Sequence, residues 1–187
     1  RNTRMKKVKF YGIGGQGAVT AAKVLSEAVS LFQDEYAITV PAYGHERRGA
    51  PVYAHIIVDD KPILLNCYVY EPDIVLVMDD SIIDKYVNVG EGCTADTILV
   101  INSGSQEIVN RYKRAYGFRE VYMCDATTAA EKMIGLSIPN SAMLGALAQT
   151  GLVKIEAVES AVRDSFGKVG EKNAHAARYA YEHTYKA

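Results

Sequence analysis

One stretch limits what this chain can fold into more than any other: Val8-Lys9-Phe10-Tyr11-Gly12-Ile13-Gly14-Gly15-Gln16-Gly17-Ala18-Val19-Thr20. It reads as a strand, a tight glycine turn and the opening of a helix. Gly12, Gly14 and Gly17 fit the G-x-G-x-x-G spacing, with Gly15 as an additional glycine. Glycine permits positive φ and a close approach of backbone to a ligand. The helix behind it aims its free N–H groups and positive dipole end at the same point. Such a stretch can hold a phosphate or another anion. It can equally serve only to pack helix against strand. The motif alone is weak; a strand before it and a helix after it are the context that strengthens it.

The remaining chain reads as alternating strands and helices. Val8 to Tyr11 is the first strand. Ala18, Ala21, Ala22, Leu25, Ala28, Val29 and Phe32 recur at helical spacing, so the helix runs from Gln16 to about Phe32. Tyr36 to Val40 is a second strand, stopped by Pro41. Val52 to Val58 and Ile63 to Tyr70, joined by Asp59-Asp60-Lys61-Pro62, read as a β-hairpin. Ile74 to Met78 and Thr97 to Ile101 are continuous apolar runs, as buried parallel strands require. Val121 to Cys124 is a further strand, and helices are expected at Gln106–Tyr116, Ala126–Ile134, Ser141–Thr150, Ile155–Phe166 and Glu171–Tyr185. The expected architecture is α/β: one domain over residues 1–187 with a Rossmann-like, mostly parallel sheet, a β-hairpin excursion and C-terminal helices.

Composition narrows the function. A formal net charge of −1 gives no general attraction to nucleic acid or to an anionic membrane. No apolar run reaches the ~18 residues needed to cross a bilayer. Arg1 to Lys7 is polar and basic with no apolar region behind it, unlike a secretory signal, so a cytoplasmic location is expected. Cys67, Cys93 and Cys124 are odd in number and far apart, and they show no C-x-x-C spacing. They read as free thiols rather than as ligands of zinc or of an iron–sulfur cluster, so no metal site is assigned.

A dinucleotide site of the usual kind has an acid at the end of the second strand, to hold the ribose hydroxyls. Here that strand ends Ile38-Thr39-Val40-Pro41, with no acid. The next residues include Gly44-His45-Glu46-Arg47-Arg48-Gly49, between Pro41 and Pro51. In a doubly wound sheet this loop would lie over the glycine turn. Arg47 and Arg48 could then hold a phosphate or carboxylate by bidentate hydrogen bonds, with Glu46 orienting one of them. The same three residues could instead form a solvated loop or an internal salt bridge. Asp79 and Asp80 either bind at the sheet edge or cap a short helix through Tyr86. Ser141 reads as a helix cap rather than a nucleophile, and His175 and His183 as surface residues. No G-x-S-x-G, no helical pair of metal ligands and no paired acid and base occur, so no catalytic residue is singled out.

The run Gly12-Ile13-Gly14-Gly15-Gln16-Gly17-Ala18-Val19-Thr20-Ala21-Ala22-Lys23, with Glu46-Arg47-Arg48-Gly49-Ala50-Pro51-Val52 after it, resembles the gamma subunit or gamma domain of the 2-oxoacid:ferredoxin oxidoreductases. Pyruvate:ferredoxin oxidoreductase (pyruvate synthase) belongs to that family. The likeness continues through Asp60-Lys61-Pro62-Ile63, Pro72-Asp73-Ile74-Val75 and Gly170-Glu171-Lys172-Asn173.

The resemblance implies a multi-subunit enzyme of anaerobic metabolism. Such an enzyme decarboxylates a 2-oxoacid on thiamine diphosphate and passes electrons through [4Fe-4S] clusters to ferredoxin. The acyl group usually ends on coenzyme A. Thiamine diphosphate with Mg would sit in alpha and beta subunits, and the clusters in a ferredoxin-like delta subunit. This chain, lacking a cysteine cluster and a thiamine-type Gly-Asp-Gly…Asn-Asn motif, would be inactive alone. Gly12, Gly14, Gly15, Gln16, Gly17 and Thr20 would then be cofactor-binding, with coenzyme A as the candidate. His45, Glu46, Arg47, Arg48 and Gly49 would face substrate or partner subunits. The family commonly has Pro where His45 stands. The resemblance implies pyruvate as the substrate, with 2-oxoglutarate or oxalate as alternatives. The rival reading is an independent Rossmann-type protein that binds NAD(P) or a mononucleotide.

Overall fold

A computed structural model describes residues 5–42, 49–64 and 68–187. The strands are β1 (Lys6–Ile13), β2 (Tyr36–Ala42), β3 (Pro51–Asp59), β4 (Ile74–Val77), β5 (Ile98–Asn102), β6 (Glu120–Cys124) and β7 (Tyr185–Lys186). They form one sheet in the order β2-β3-β1-β4-β5-β6-β7. β1, β4, β5 and β6 pair in parallel, while β3 runs antiparallel between β1 and β2, and β7 antiparallel on β6. The helices are α1 (Ala18–Phe32), α2 (Gln106–Ala115), α3 (Ala126–Ile134), α4 (Asn140–Ala148), α5 (Ile155–Ser165) and α6 (Gly170–Glu182).

The hairpin is not where the sequence pattern puts it. β2 and β3 form it, in register from Tyr36 opposite Asp59 to Ala42 opposite Tyr53. β3 is thus paired on both edges, with β2 and β1, and has no free edge for a returning strand. The described residues between Ile63 and Tyr70 accordingly make no strand. There the backbone N–H of Val69 donates instead to the Nδ1 atom of His55, at 3.0 Å. Pro41 does not stop β2 either. It lies opposite Ala54 in an edge strand, where a missing N–H is tolerated. The last helix is shorter than its pattern suggests: α6 ends at Glu182, and Tyr185 and Lys186 add the short edge strand β7.

Alternation explains the two layers. Val8 and Phe10 of β1 and Ala54, Ile56 and Val58 of β3 face the helical layer, where α1 and α3 to α6 form the larger core. On the other sheet face, Val75, Val77, Leu99 and Ile101 pack against Val109 and Tyr112 of α2 and Ile82. β4 and β5 are therefore covered on both faces, which is why they read as unbroken apolar runs. β1 and β3 keep an alternating pattern, with Lys9, Tyr11, Tyr53 and His55 on the face away from α1. Cys93 and Cys124 are free thiols; Cys67 lies outside the described residues. Among the described residues, no helix is long and apolar enough to cross a membrane.

The candidate site at the glycine turn

The turn sits at the C-terminal ends of β1 and β4. The amide of Gln16 closes it on the carbonyl of Ile13 at 3.1 Å. The Gln16 side chain then bridges two elements. Its Oε1 accepts from the N–H of Ile13 at 2.8 Å, and its Nε2 donates to Oδ2 of Asp79 at 2.7 Å. Asp79 comes just after β4, the parallel neighbour of β1. Its Oδ1 accepts from the backbone N–H and hydroxyl of Ser81, capping a 3-10 turn over Asp80–Asp84. Asp79 thus caps a turn and also locks the glycine turn.

Gly17 precedes α1 at φ 77°. A side chain there would place its Cβ 2.5 Å from Nδ2 of Asn140, the first residue of α4. Gly12 lies within β1, and its lack of a side chain lets Ala18 approach. Thr20 is exposed in the first turn of α1. Among the described residues no side chain caps α1, and its first turn contains no acid. Its leading N–H groups and dipole end therefore remain suited to an outside acceptor.

The flank of the Glu-Arg-Arg loop reaches this turn. The N–H of Gly14 donates to the carbonyl of Ala50 at 2.8 Å, and that of Gly49 to the carbonyl of Gly14 at 3.4 Å. Gly49 itself has φ 88°. His45, Glu46, Arg47 and Arg48 lie outside the described residues; Ala42 and Gly49 bracket them.

On the β4 side the edge is acidic and internally satisfied. A cleft of about 200 Å³ is lined there by Gln16, Asp79, Asp80, Asn102, Ser103 and Asp125, among others. Asp80 accepts from the Ser103 hydroxyl at 2.6 Å, and Asp125 caps α3 by accepting from the N–H of Thr128. Asn102 donates to the carbonyl of Met78 and accepts from the N–H of Ala126, tying β4, β5 and α3 together. Carboxylates on this side leave the flank toward Gly49 as the one suited to an anion.

A dinucleotide site is disfavoured on different ground from the one the sequence offers. β2 is not beside β1, so the lack of an acid after Val40 says little. The stronger objection is topological. The side of β1 away from β4 holds the antiparallel β3, so the glycine turn lacks a parallel strand on each side to form the usual crevice. Ser141 is not a cap. It lies inside α4, buried, and its hydroxyl donates to Oδ1 of Asn173 at 2.8 Å. Asn173 also donates to the carbonyl of Val169, which gives the Gly-Glu-Lys-Asn stretch a role in joining α6 to α4. His175 and His183 are exposed, as expected. Asn140 is a neighbour of Gly17 that the sequence does not announce; only its place after Pro139 points to a helix start.

Residues 7–183 match the family described as pyruvate ferredoxin/flavodoxin oxidoreductase. The chain belongs to that family. It is 47% identical over 184 residues to the pyruvate/ketoisovalerate oxidoreductases common subunit gamma of Pyrococcus furiosus, covering 96% of this chain and 97% of that one. It is 45% identical to the pyruvate synthase subunit PorC of Methanocaldococcus jannaschii, covering 97% and 98%. The crystal structure of the pyruvate oxidoreductase subunit PORC from Thermotoga maritima superposes with a TM-score of 0.82 at 31% identity, covering 98% of each chain. This chain is thus a gamma-type subunit of a multi-subunit 2-oxoacid:ferredoxin oxidoreductase, in agreement with the resemblance carried by the sequence of its glycine turn and Glu-Arg-Arg stretch.

Proposed function

We propose that this subunit serves a pyruvate-oxidising enzyme of the cytoplasm and that its glycine turn forms one wall of a site shared with partner subunits. The observation that carries the proposal is the pair of hydrogen bonds joining Gly14 to Ala50 and Gly49. They hold the flank of the Arg47-Arg48 segment beside the uncapped start of α1. Two kinds of anion donor, guanidinium groups and helix amides, would then act on one phosphate. Coenzyme A is the proposed ligand, held by a phosphate. In this role Gly14, Gly15, Gln16, Gly17 and Thr20 would supply backbone and polar contact, and His45, Glu46 and Gly49 would face substrate or partner subunits. Gly12 contributes through packing instead.

Partner subunits complete the enzyme: alpha and beta subunits with thiamine diphosphate and Mg, and a ferredoxin-like delta subunit with [4Fe-4S] clusters that reduces ferredoxin. In that division of labour residues 1–187 act as one gamma unit, inactive alone. The Pyrococcus relative is named as common to pyruvate and ketoisovalerate oxidoreductases. A subunit shared in that way does not choose the oxoacid, so His45 would leave substrate choice to the partners. The test is to co-express the partner subunits with and without this chain and to follow ferredoxin reduction. Pyruvate, ketoisovalerate, 2-oxoglutarate and oxalate serve as substrates. Pyruvate-dependent, coenzyme A-dependent reduction only when the chain is present is expected. Full activity without the chain, or tight NAD(P) binding by the chain alone, would overturn the proposal.

A further inference from the structure

The sheet face opposite α1 is left open where β1 and β3 pair. A cleft of about 590 Å³ lies there, and Lys9, Tyr53, His55, Tyr68, Tyr70 and Tyr86 are among the residues that line it. It is separate from the glycine turn: Lys9 and His55 lie opposite each other in mid-strand, in the β1–β3 register. Its walls are aromatic. Tyr11 and Tyr53 pack edge to face at 5.4 Å, and His55 lies 4.7 Å from Tyr68. Tyr70 and Tyr86 are exposed, Tyr86 completely.

The more deeply placed polar groups of this cleft, on Lys9, His55 and Tyr11, are donors without an acceptor among the described residues, while the Glu91 carboxylate that also lines it is exposed. Lys9 Nζ lies 4.8 Å from the Tyr11 ring centre and 5.6 Å from that of Tyr53. It makes no ion pair or hydrogen bond with the described residues. Burial pushes its pKa down, partly offset by the negative charge of Glu91 at the cleft's rim. His55 accepts at Nδ1 from Val69, so its neutral ring carries the proton on Nε2 and has a second donor to offer. The Tyr11 hydroxyl is fully buried without a hydrogen-bond partner among the described residues. A half-buried ammonium without an acceptor is costly, and a carboxylate brought beside it would relieve that cost. Tyrosine is also enriched in protein interfaces, where its ring packs and its hydroxyl stays wet.

We propose that this cleft is an interface with another subunit of the oxidoreductase complex, which inserts an acidic side chain between the tyrosine rings to pair with Lys9. The occupant is chosen by charge and burial: the half-buried charge in the cleft is the Lys9 ammonium, whereas the carboxylate that also lines it, Glu91, lies exposed to solvent, and the aromatic walls suit a polypeptide rather than a hydrated ion. The proposal rests on the subunit reading above but not on coenzyme A binding at the glycine turn.

The test uses the purified holoenzyme. Tyr70 and Tyr86 are expected to resist nitration by tetranitromethane until the complex is dissociated in mild denaturant. Tyr36 and Tyr185, exposed elsewhere on the sheet, serve as references. Co-expressed Lys9→Met and Tyr86→Ser chains should each shift at least tenfold more of the chain to the free peak in sedimentation velocity, and Lys9→Arg should restore assembly. Tyr86 is solvent-exposed, so its variant folds normally. Loss of assembly with unchanged coenzyme A affinity of the residual complex would uphold this interface. Rapid nitration of both tyrosines in the intact complex, or full assembly of both variants, would overturn it. So would protection of the tyrosines by a free small carboxylate such as acetate in place of the partner.

Discussion

Gln16 and Asp79 hold each other across the C-terminal edge of the sheet, with the Gln16 amide donating to the Asp79 carboxylate at 2.7 Å. The same amide's oxygen accepts from the N–H of Ile13. One side chain thus fixes both the shape of the glycine turn and its distance from β4. Gln16→Ala removes both bonds and leaves a partly buried carboxylate short of one donor. A loss of about 2–3 kcal/mol is expected, since a bond to a charged group contributes about 1.5–3 kcal/mol. Urea unfolding measures it. Gln16→Glu, which sets two carboxylates together, should cost more at pH 8 than at pH 5.

Gly17 cannot be replaced cheaply. Its φ of 77° and the Asn140 side chain 2.5 Å from the position of a Cβ penalise any other residue. Gly17→Ala is expected to lower stability by about 2–4 kcal/mol, combining left-handed strain of about 1–2 kcal/mol with the clash. Gly15→Ala has positive φ but open space around it, so it should cost only about 1 kcal/mol. Thermal unfolding of the two variants, compared with Gly17→Ala/Asn140→Ala, separates strain from clash: the double variant should recover the clash alone.

Legibility in the sequence depends on sequence distance. Helices α3 and α5, and strands β4 and β5, are written in local periodicity or in unbroken apolar runs, and they lie within a residue or two of where that pattern puts them. The β2–β3 hairpin escapes such a reading because strand partners are not local. Pro41 looks like a stop until the strand is known to lie at an edge. Ile63 to Tyr70 looks like a strand until β3 is known to have no free edge. The site shows the same division. The glycine turn and the helix behind it are contiguous and readable. The Gln16–Asp79 bond spans 63 positions, and the Asn140 side chain meets Gly17 from another helix. Neither leaves a local signal.

Acid should weaken the fold through His55. Burial, reinforced by repulsion from Lys9, pushes its pKa down to about 4. The unfolded chain, with His near its ordinary value of 6.5, then binds more protons than the native state between about pH 4 and pH 6.5. Stability therefore rises with pH across that window and is lost as pH falls through it. The slope contributed is at most that of one proton. Melting temperatures from pH 4 to pH 7 should fall less steeply on acidification for His55→Gln than for the parent.

Gly49 and Ala50, which follow Arg47 and Arg48 in the sequence, are hydrogen-bonded to the glycine turn, and the two arginines are proposed to hold an anionic end of coenzyme A in the assembled enzyme. Titration calorimetry of coenzyme A into the complex carrying Arg47→Ala/Arg48→Ala tests this role most directly. Removal of a bidentate phosphate contact should weaken binding by more than about tenfold, while sedimentation shows the complex intact. Unchanged affinity in an intact complex would contradict it.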